Sequence, residues 1–223
     1  MNDLTPTRIL ITSGATQEPI DEVRYLGNRS SGQLGNVIAL TGATHGYEVT
    51  LLHGLHAVTP TSHPRMNSIP YSSSRDLAAK LEEHWPSHTI LIMAAAVADF
   101  TPRGGQLQGK IQRSDELTIT FTSTDDLVLS LAQQSRDDQR ILAFALGESK
   151  TLDRVAQEKL ERKQVDAIVA NPLETMESST IQAKVFMKNG KILAPSGSCS
   201  KPEFAQWLIE NLEDILSVTS STQ

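Results

Sequence analysis

The run Thr89–Val97, TILIMAAAV, is the feature that most restricts the fold of this chain. It holds no charge and no turn former, and it is apolar on both faces of an extended strand. Both faces must therefore be covered, which suits a central parallel strand rather than an edge. The apolar stretch Ile90–Ala98 is under half the length of a membrane span.

Similar runs recur along the chain, separated by helical patterns. Arg8–Ser13 (RILITS) is a short apolar run ending in Gly14, and Tyr47–Leu52 reads as the next strand. Leu117–Thr122, Ile141–Leu146 and Val165–Ala170 continue the series. Between them, Gln33–His45 carries Leu34, Val37, Ile38 and Leu40 at helical spacing and stops at Gly46, a glycine cap. Asp76–Trp85 is amphipathic and follows a serine run suited to capping it. Asp126–Gln134 and Leu152–Lys163 also read as helices. Asn189-Gly190, inside Lys184–Leu193, is a hairpin signal. Ser200–Leu216 reads as a last helix, with Ser200 as its cap and Pro202 in its first turn. The alternation predicts βαβ units and an α/β fold, a three-layer α/β/α Rossmann-like arrangement around a mostly parallel sheet. One domain over residues 1–223 is expected, with approximately 8–217 ordered.

Charge and composition exclude several classes. Lys+Arg number 20 against 26 Asp+Glu, a net of −6, whereas generic nucleic-acid binding needs a basic footprint. An apolar fraction of 39% with 21% charged argues against disorder. The single cysteine, Cys199, has no internal disulfide partner, which fits a reducing cytosol. The start MNDLTPTRIL lacks the basic beginning and apolar middle of a signal peptide. A cytoplasmic protein handling something small is expected, with no nucleic acid and no membrane among its partners. All six histidines fall between His45 and His88, none at metal spacing. Cys199 reads as a bystander thiol.

In parallel sheets, ligands bind outside the carboxyl ends of the strands. That selects the loops after Ser13, Val97, Leu146 and Ala170. The first runs through TSGATQEPID (Thr12–Asp21) and Arg24 to GNRSSGQLG (Gly27–Gly35). Ser30, Ser31 and Gly32 stand where a helix begins, and backbone N–H groups with the helix dipole there hold a phosphate or carboxylate. Arg24 and Arg29 add donors suited to a doubly charged oxyanion. The plain alternative is a well-capped surface loop. The glycines are not a dinucleotide fingerprint, because Gly14 stands alone and Gly27, Gly32 and Gly35 have the wrong spacing.

The whole stretch ITSGATQEPIDEVRYLGNRSSGQLG resembles the opening motif of the phosphopantothenoylcysteine synthetase family, close to TxGxTxEPIDxVRxxxNxSSGxxG. Ala94–Phe100 (AAAVADF) resembles the family's AAAVADY segment, and Lys110-Ile111-Gln112-Arg113 stands where the family has a Lys-x-Lys-Lys run. Lys159–Asn171 resembles KxxxKxxDxIVAN, so the likeness spans Ile11 to Asn171. The resemblance implies a ligase of coenzyme A biosynthesis that joins 4′-phosphopantothenate to L-cysteine. The acid attacks the α-phosphate of CTP or ATP, pyrophosphate leaves, and the cysteine amine then displaces the nucleotide. Bacterial members generally take CTP, and CTP is expected here. Mg²⁺ bridging the triphosphate is implied, and no flavin. A homodimer is implied too, with Leu117–Thr122 and the 184–193 hairpin as a small β extension at its interface. Many bacterial members are fused behind a flavin-dependent decarboxylase. This chain begins directly at the ligase motif, which predicts a stand-alone ligase and a separate phosphopantothenoylcysteine decarboxylase in the same pathway.

The same resemblance assigns residues. Asn28, Lys110 and Arg24 are catalytic by this likeness. Gly14, Ala94, Ala95, Asp99, Lys110, Asp126, Leu127, Phe144, Lys159 and Lys163 contact the nucleotide, and Asn28, Arg29, Ser30, Ser31 and Gly32 the acid substrate. Metal ligands are left open. The residue chemistry fits, and each assignment has a plainer rival. An asparagine amide donates and accepts at once. Asp99 suits a sugar hydroxyl or a turn cap. Lys159 and Lys163, four apart, share a helix face and either flank a triphosphate or are solvated beside Glu158 and Glu161. Lys110 lies among Gly104, Gly105 and Gly109, which reads as a mobile flap or as a solvated loop. Phe144 packs near the base or in the core.

Departures from the pattern matter as well. Gln112 and Arg113 replace lysines in the flap, and Ala145-Leu146-Gly147-Glu148-Ser149 shifts Glu148 by one position. Two rival functions follow. A nicotinamide-dependent oxidoreductase would need a GxGxxG that is missing. A catalytically impaired paralogue binding a ligand or partner protein would tolerate the altered flap.

Overall fold

In the computed structural model, residues 7–114, 116–176 and 178–216 are described. β1 (Arg8–Ser13) leads into a hairpin of β2 (Gln17–Pro19) and β3 (Tyr25–Gly27), followed by α1 (Gln33–Thr44). β4 (Glu48–Gly54), β5 (Met66–Tyr71), α2 (Ser74–His84) and β6 (Ile90–Met93) come next. β7 (Phe100–Pro102) and β8 (Phe121–Ser123) pair as an antiparallel ribbon outside the main sheet. α3 (Leu127–Gln134), β9 (Arg140–Gly147), α4 (Leu152–Lys163) and β10 (Ala167–Pro172) extend the alternation. The chain ends in β11 (Thr180–Ile181), β12 (Lys184–Met187), β13 (Ile192–Leu193), β14 (Cys199–Ser200), α5 (Lys201–Glu210) and α6 (Leu212–Leu216).

The main sheet has eight strands in the order β13-β12-β10-β9-β6-β1-β4-β5. The six strands from β10 to β5 run parallel, and β12 and β13 are antiparallel additions at one edge. Successive side chains of a strand face opposite layers. Thus Ile9 and Ile11 of β1 pack with Ile38 of α1 and Phe204 and Leu208 of α5, while Leu10 packs with Leu77 of α2 and Ala156 of α4. All four residues of β6 are buried, as its two apolar faces require.

The elements differ from the sequence reading in instructive ways. The run predicted as a strand to Val97 leaves the sheet after Met93. There the Thr12 hydroxyl accepts the Ala95 N–H at 3.0 Å, which takes Ala95 out of the ladder. The Gly14 carbonyl accepts that of Ala96 at 2.8 Å, so only an isolated parallel bridge between Ala15 and Ala96 continues the pairing. Of Leu117–Thr122 only the last two residues are extended, and they pair with β7. The 184–193 hairpin, expected as a small β extension, is built onto one edge of the main sheet as β12 and β13. β5 was missed because Asn67, Ser68 and Pro70 dilute its pattern; a proline is admissible there because β5 is an edge strand. The last helix breaks at Asn211, and Ser200 and Glu203 form a reciprocal capping box at its start. No helix among the described residues is long and apolar enough to cross a membrane.

Candidate functional site

β1 and β6 are neighbours, but the chain leaves β1 to build β4 and β5 on one side and leaves β6 to build β9 and β10 on the other. The loops therefore diverge at the carboxyl ends of this pair and open a crevice. Four residues of the first motif lace the crevice floor. Besides Thr12 and Gly14, the Thr16 hydroxyl accepts the Ala98 N–H at 2.9 Å, and the Asn28 amide donates to the carbonyls of Ala96 at 3.2 Å and Val97 at 3.0 Å. The motif's two acids are anchors. Glu18 is buried and accepts the Ser74 N–H at the start of α2, at 2.8 Å. Buried Asp21 accepts N–H groups of Val23, Arg24 and Ile111 and pairs with the Arg24 guanidinium at 2.6 Å. Burial alone would raise its pKa, but the four donors outweigh it and bring the carboxyl down to about 2.

The start of α1 is shaped by close approach. Its cap, Gly32, adopts φ 73° and carries no side-chain cap, and the Ser13 hydroxyl donates to the Gly32 carbonyl at 2.7 Å. A Cβ on Gly35 would lie 2.7 Å from the Ser13 Cβ, so α1 sits against β1 only with glycine there. The loop after β4 closes over this turn through the Val58 N–H, which donates to the Ser31 carbonyl at 2.8 Å.

The crevice widens into a cleft of about 610 Å³. It is lined from the first loop by Asn28–Gly35, from the β6 loop by Ala94–Val97 and Asp99, and beyond them by Phe144, Leu146 and Lys159. Asn171, Thr175, Met176, Ile181 and Lys201 complete it. Asn28, Arg29, Ser30, Ser31, Gly32, Ala94, Ala95, Asp99, Phe144 and Lys159, named from the sequence, thus meet in one place. A pocket at the opposite, amino-terminal end of β9, around Arg140 and Asp166, contains none of them.

Other candidates lie elsewhere. Gly14 is buried beneath the cleft at φ 83°. Lys163 does not line the cleft: its ammonium pairs with Asp126 at 2.5 Å, and Asp126 also caps α3 by accepting the Leu129 N–H at 3.2 Å. Leu127 begins α3 behind that pair. Arg24 and Lys110 are exposed outside the cleft. The supposed flap is held at its far end, where the Leu107 N–H donates to the Ile20 carbonyl at 3.0 Å and the Ile111 N–H to Asp21 at 3.0 Å.

The electrostatics of the cleft differ from those of the whole chain. Its charged lining groups are Arg29, Lys159 and Lys201 against Asp99. Burial depresses the Lys159 ammonium, Lys163 and Arg162 add to this, and Asp99 opposes them. No histidine or cysteine lines the cleft. Burial and the nearby Glu203 push the Cys199 thiol up, away from the thiolate form a nucleophile needs. No cluster of His, Cys, Asp and Glu suited to a metal occurs among the described residues. Lys201 was missed from the sequence, where Ser200-Lys201-Pro202 reads only as a helix start.

Comparisons with known proteins agree on one neighbourhood. The profile of the DNA/pantothenate metabolism flavoprotein C-terminal domain matches residues 4–216. The coenzyme A biosynthesis bifunctional protein CoaBC of Vibrio cholerae is 34% identical over 200 residues, covering 86% of this chain and 49% of that protein. The chain thus spans about half the length of the curated relatives it matches. A crystal structure of the DNA/pantothenate metabolism flavoprotein from Streptococcus pneumoniae superimposes with a TM-score of 0.81 at 27% identity, covering 93% of this chain and 99% of that one. The C-terminal domain of a coenzyme A biosynthesis bifunctional protein CoaBC gives 0.78 at 28%, covering 96% and 98%.

Proposed function

This chain belongs to the DNA/pantothenate metabolism flavoprotein C-terminal domain family, and we propose that it is a ligase joining 4′-phosphopantothenate to cysteine through an acyl-nucleotide. The observation that carries this reading is the convergence of the loops at 28–35 and 94–99 with Phe144, Leu146 and Lys159 on one cation-lined cleft. The cleft lining offers its serines no histidine base and holds no cysteine, which fits a reaction in which the substrate carboxylate is itself the nucleophile. A carboxylate oxygen attacks the α-phosphorus, the bond to the bridging oxygen breaks, and pyrophosphate leaves. The cysteine nitrogen then attacks the acyl carbon, and the nucleoside monophosphate departs as the amine gives up its proton to solvent.

The protein's part is position and charge. Lys159, half-buried opposite Asp99, would face the polyphosphate, and Phe144 would back the base. The amide nitrogen of Asn28 is already engaged by two carbonyls, which leaves its Oδ1 to accept from the incoming amine. Mg²⁺ would enter with the triphosphate and neutralise its charge, since it is held by one or two carboxylates and substrate phosphates rather than by a protein cage. Asp99, the carboxylate in the cleft lining, fits that limited role. CTP is proposed over ATP on the likeness to bacterial relatives.

Pyrophosphate release, measured with 4′-phosphopantothenate and either CTP or ATP, tests the first half-reaction. Amide formation on adding cysteine tests the second. Release is expected with CTP and should require the acid. Absence of release with both nucleotides would overturn the ligase reading and leave a ligand-binding protein.

A further inference from the structure

Lys201 is the first residue of α5 and is only 8% exposed, yet its side chain belongs to the cleft lining. Its ammonium donates to the Gln33 Oε1 at 2.9 Å, a neutral partner. Among the described residues no carboxylate lies in ion-pair contact with it. Glu203, the acid on its own helix turn, is committed to the Ser200 N–H and hydroxyl at 2.8 Å each. A buried cation without a counter-charge is costly. The first turn of a helix is also the wrong end for a cation, because the macrodipole is positive there.

The neighbourhood compounds the positive charge. α1 and α5 pack along one another, and the Lys201–Gln33 bond joins the first residue of one helix to the first residue of the other. Both positive helix ends thus meet beside the cleft. Arg29, Ser30 and Ser31, from the turn before α1, line the same place. Burial lowers the Lys201 ammonium from its ordinary value, as a site waiting for an anion would.

We propose that Lys201 binds the phosphate monoester of the acid substrate, completing a phosphate subsite with Arg29 and the first turn of α1. This deepens, and rests on, the ligase reading above. The phosphate monoester is favoured over the triphosphate by the layering of the molecule. Lys201 comes from the α1/α5 layer, whereas Lys159 comes from α4 on the opposite face of the sheet. Two cations on opposite sides of one cleft suit two anions: the monoester on the α1 side and the polyphosphate on the α4 side.

The test is Lys201→Met, which keeps the aliphatic stem and removes the charge, beside Lys201→Arg, which keeps the charge. Thermal melting checks that each variant folds, and Lys201→Gln replaces the methionine variant should it not fold. The expected result is a KM for 4′-phosphopantothenate raised about tenfold or more in Lys201→Met, an unchanged KM for nucleotide, and partial recovery in Lys201→Arg. Calorimetric titration supplies the arm that does not need turnover. Wild type should bind 4′-phosphopantothenate more tightly than pantothenate, and Lys201→Met should lose that difference. Equal binding of 4′-phosphopantothenate by both proteins overturns the proposal, as does a KM rise confined to the nucleotide. Failure of wild type to release pyrophosphate overturns the ligase reading instead, and the titration still judges Lys201.

Discussion

Ser13 and Gly35 set the distance between the first strand and the first helix. The Ser13 hydroxyl reaches the Gly32 carbonyl, and its Cβ occupies the place where a Gly35 side chain would start, at 2.7 Å. The other atoms in the way, Ser13 Oγ at 2.8 Å and Ser13 Cα at 3.1 Å, belong to a strand core that cannot move aside cheaply. Gly35→Ala is expected to destabilise the fold by about 1–3 kcal/mol, as overpacking does. Gly42, seven residues later in the same helix, is the control. A Cβ there would meet Val49 Cγ2 at 3.5 Å and Ile209 Cδ1 at 3.6 Å, ordinary contact. Gly42→Ala should be neutral or stabilising by up to about 1 kcal/mol, because alanine is the better helix former. Urea unfolding of the two variants separates them, and equal midpoints would remove the special role given to Gly35. In the sequence, the Ser-Ser-Gly turn was legible from its place at a helix start, whereas Asp99, Phe144 and Lys159 were named only through the family resemblance of the segments that hold them. Lys201 was not legible, because its meaning depends on a helix 168 positions earlier in the chain coming alongside through space.

At the scale of elements, what looked like a free flap is a ribbon with a clasped end. The glycines at 104, 105 and 109 all take positive φ and no side chain presses on them, which is what the composition suggested. The restraint is the Asp21 carboxylate, a residue 90 positions away that accepts the Ile111 N–H while holding Arg24. Its effect on pH follows from its low pKa. A carboxyl whose pKa falls on folding contributes stability above its unfolded value, near 3.9, and loses it as pH falls towards about 2. The clasp should therefore hold throughout neutral and mildly acidic solution and open only in strong acid. Asp21→Asn removes the charge at every pH. Trypsin should then cut at Arg103, Lys110 or Arg113 faster than in wild type at neutral pH. Unchanged cleavage kinetics would show that two backbone bonds suffice, from the Leu107 N–H to the Ile20 carbonyl and from the Glu22 N–H to the Gly109 carbonyl at 3.2 Å. A pattern of apolar residues finds strands and helices, but a clasp between two loops has no period to detect. The same reason hid the β2–β3 hairpin inside a stretch read as loop.

At the scale of the whole molecule, Arg24 and Lys110 pose the remaining question, because neither lies in the cleft they were expected to serve. Both sit on an apolar surface. Val23, Tyr25, Leu26, Phe100, Leu107 and Leu117 are each more than a third exposed, and their segments adjoin through β2–β7 packing and the Leu107–Ile20 bond. Large exposed apolar patches mark interaction sites, and if a second copy of this chain docks here, Lys110 could serve that copy's cleft rather than its own. A self-complementary interface places the same patch on both copies, so each copy would lend its lysine to the other. Mixing two inactive variants decides this. Lys110→Gln keeps an intact cleft and lacks the loaned lysine, while Lys159→Ala has a damaged cleft and an intact Lys110. If lysine crosses between copies, unfolding and refolding the two together should restore roughly a quarter of wild-type turnover, since about half the dimers are mixed and each carries one complete site. If Lys110 acts in its own chain, the mixture stays as inactive as its parts. The net charge of −6 does not oppose either outcome. What a cleft needs from charge is local, and in this fold it is gathered from elements that the sequence keeps far apart.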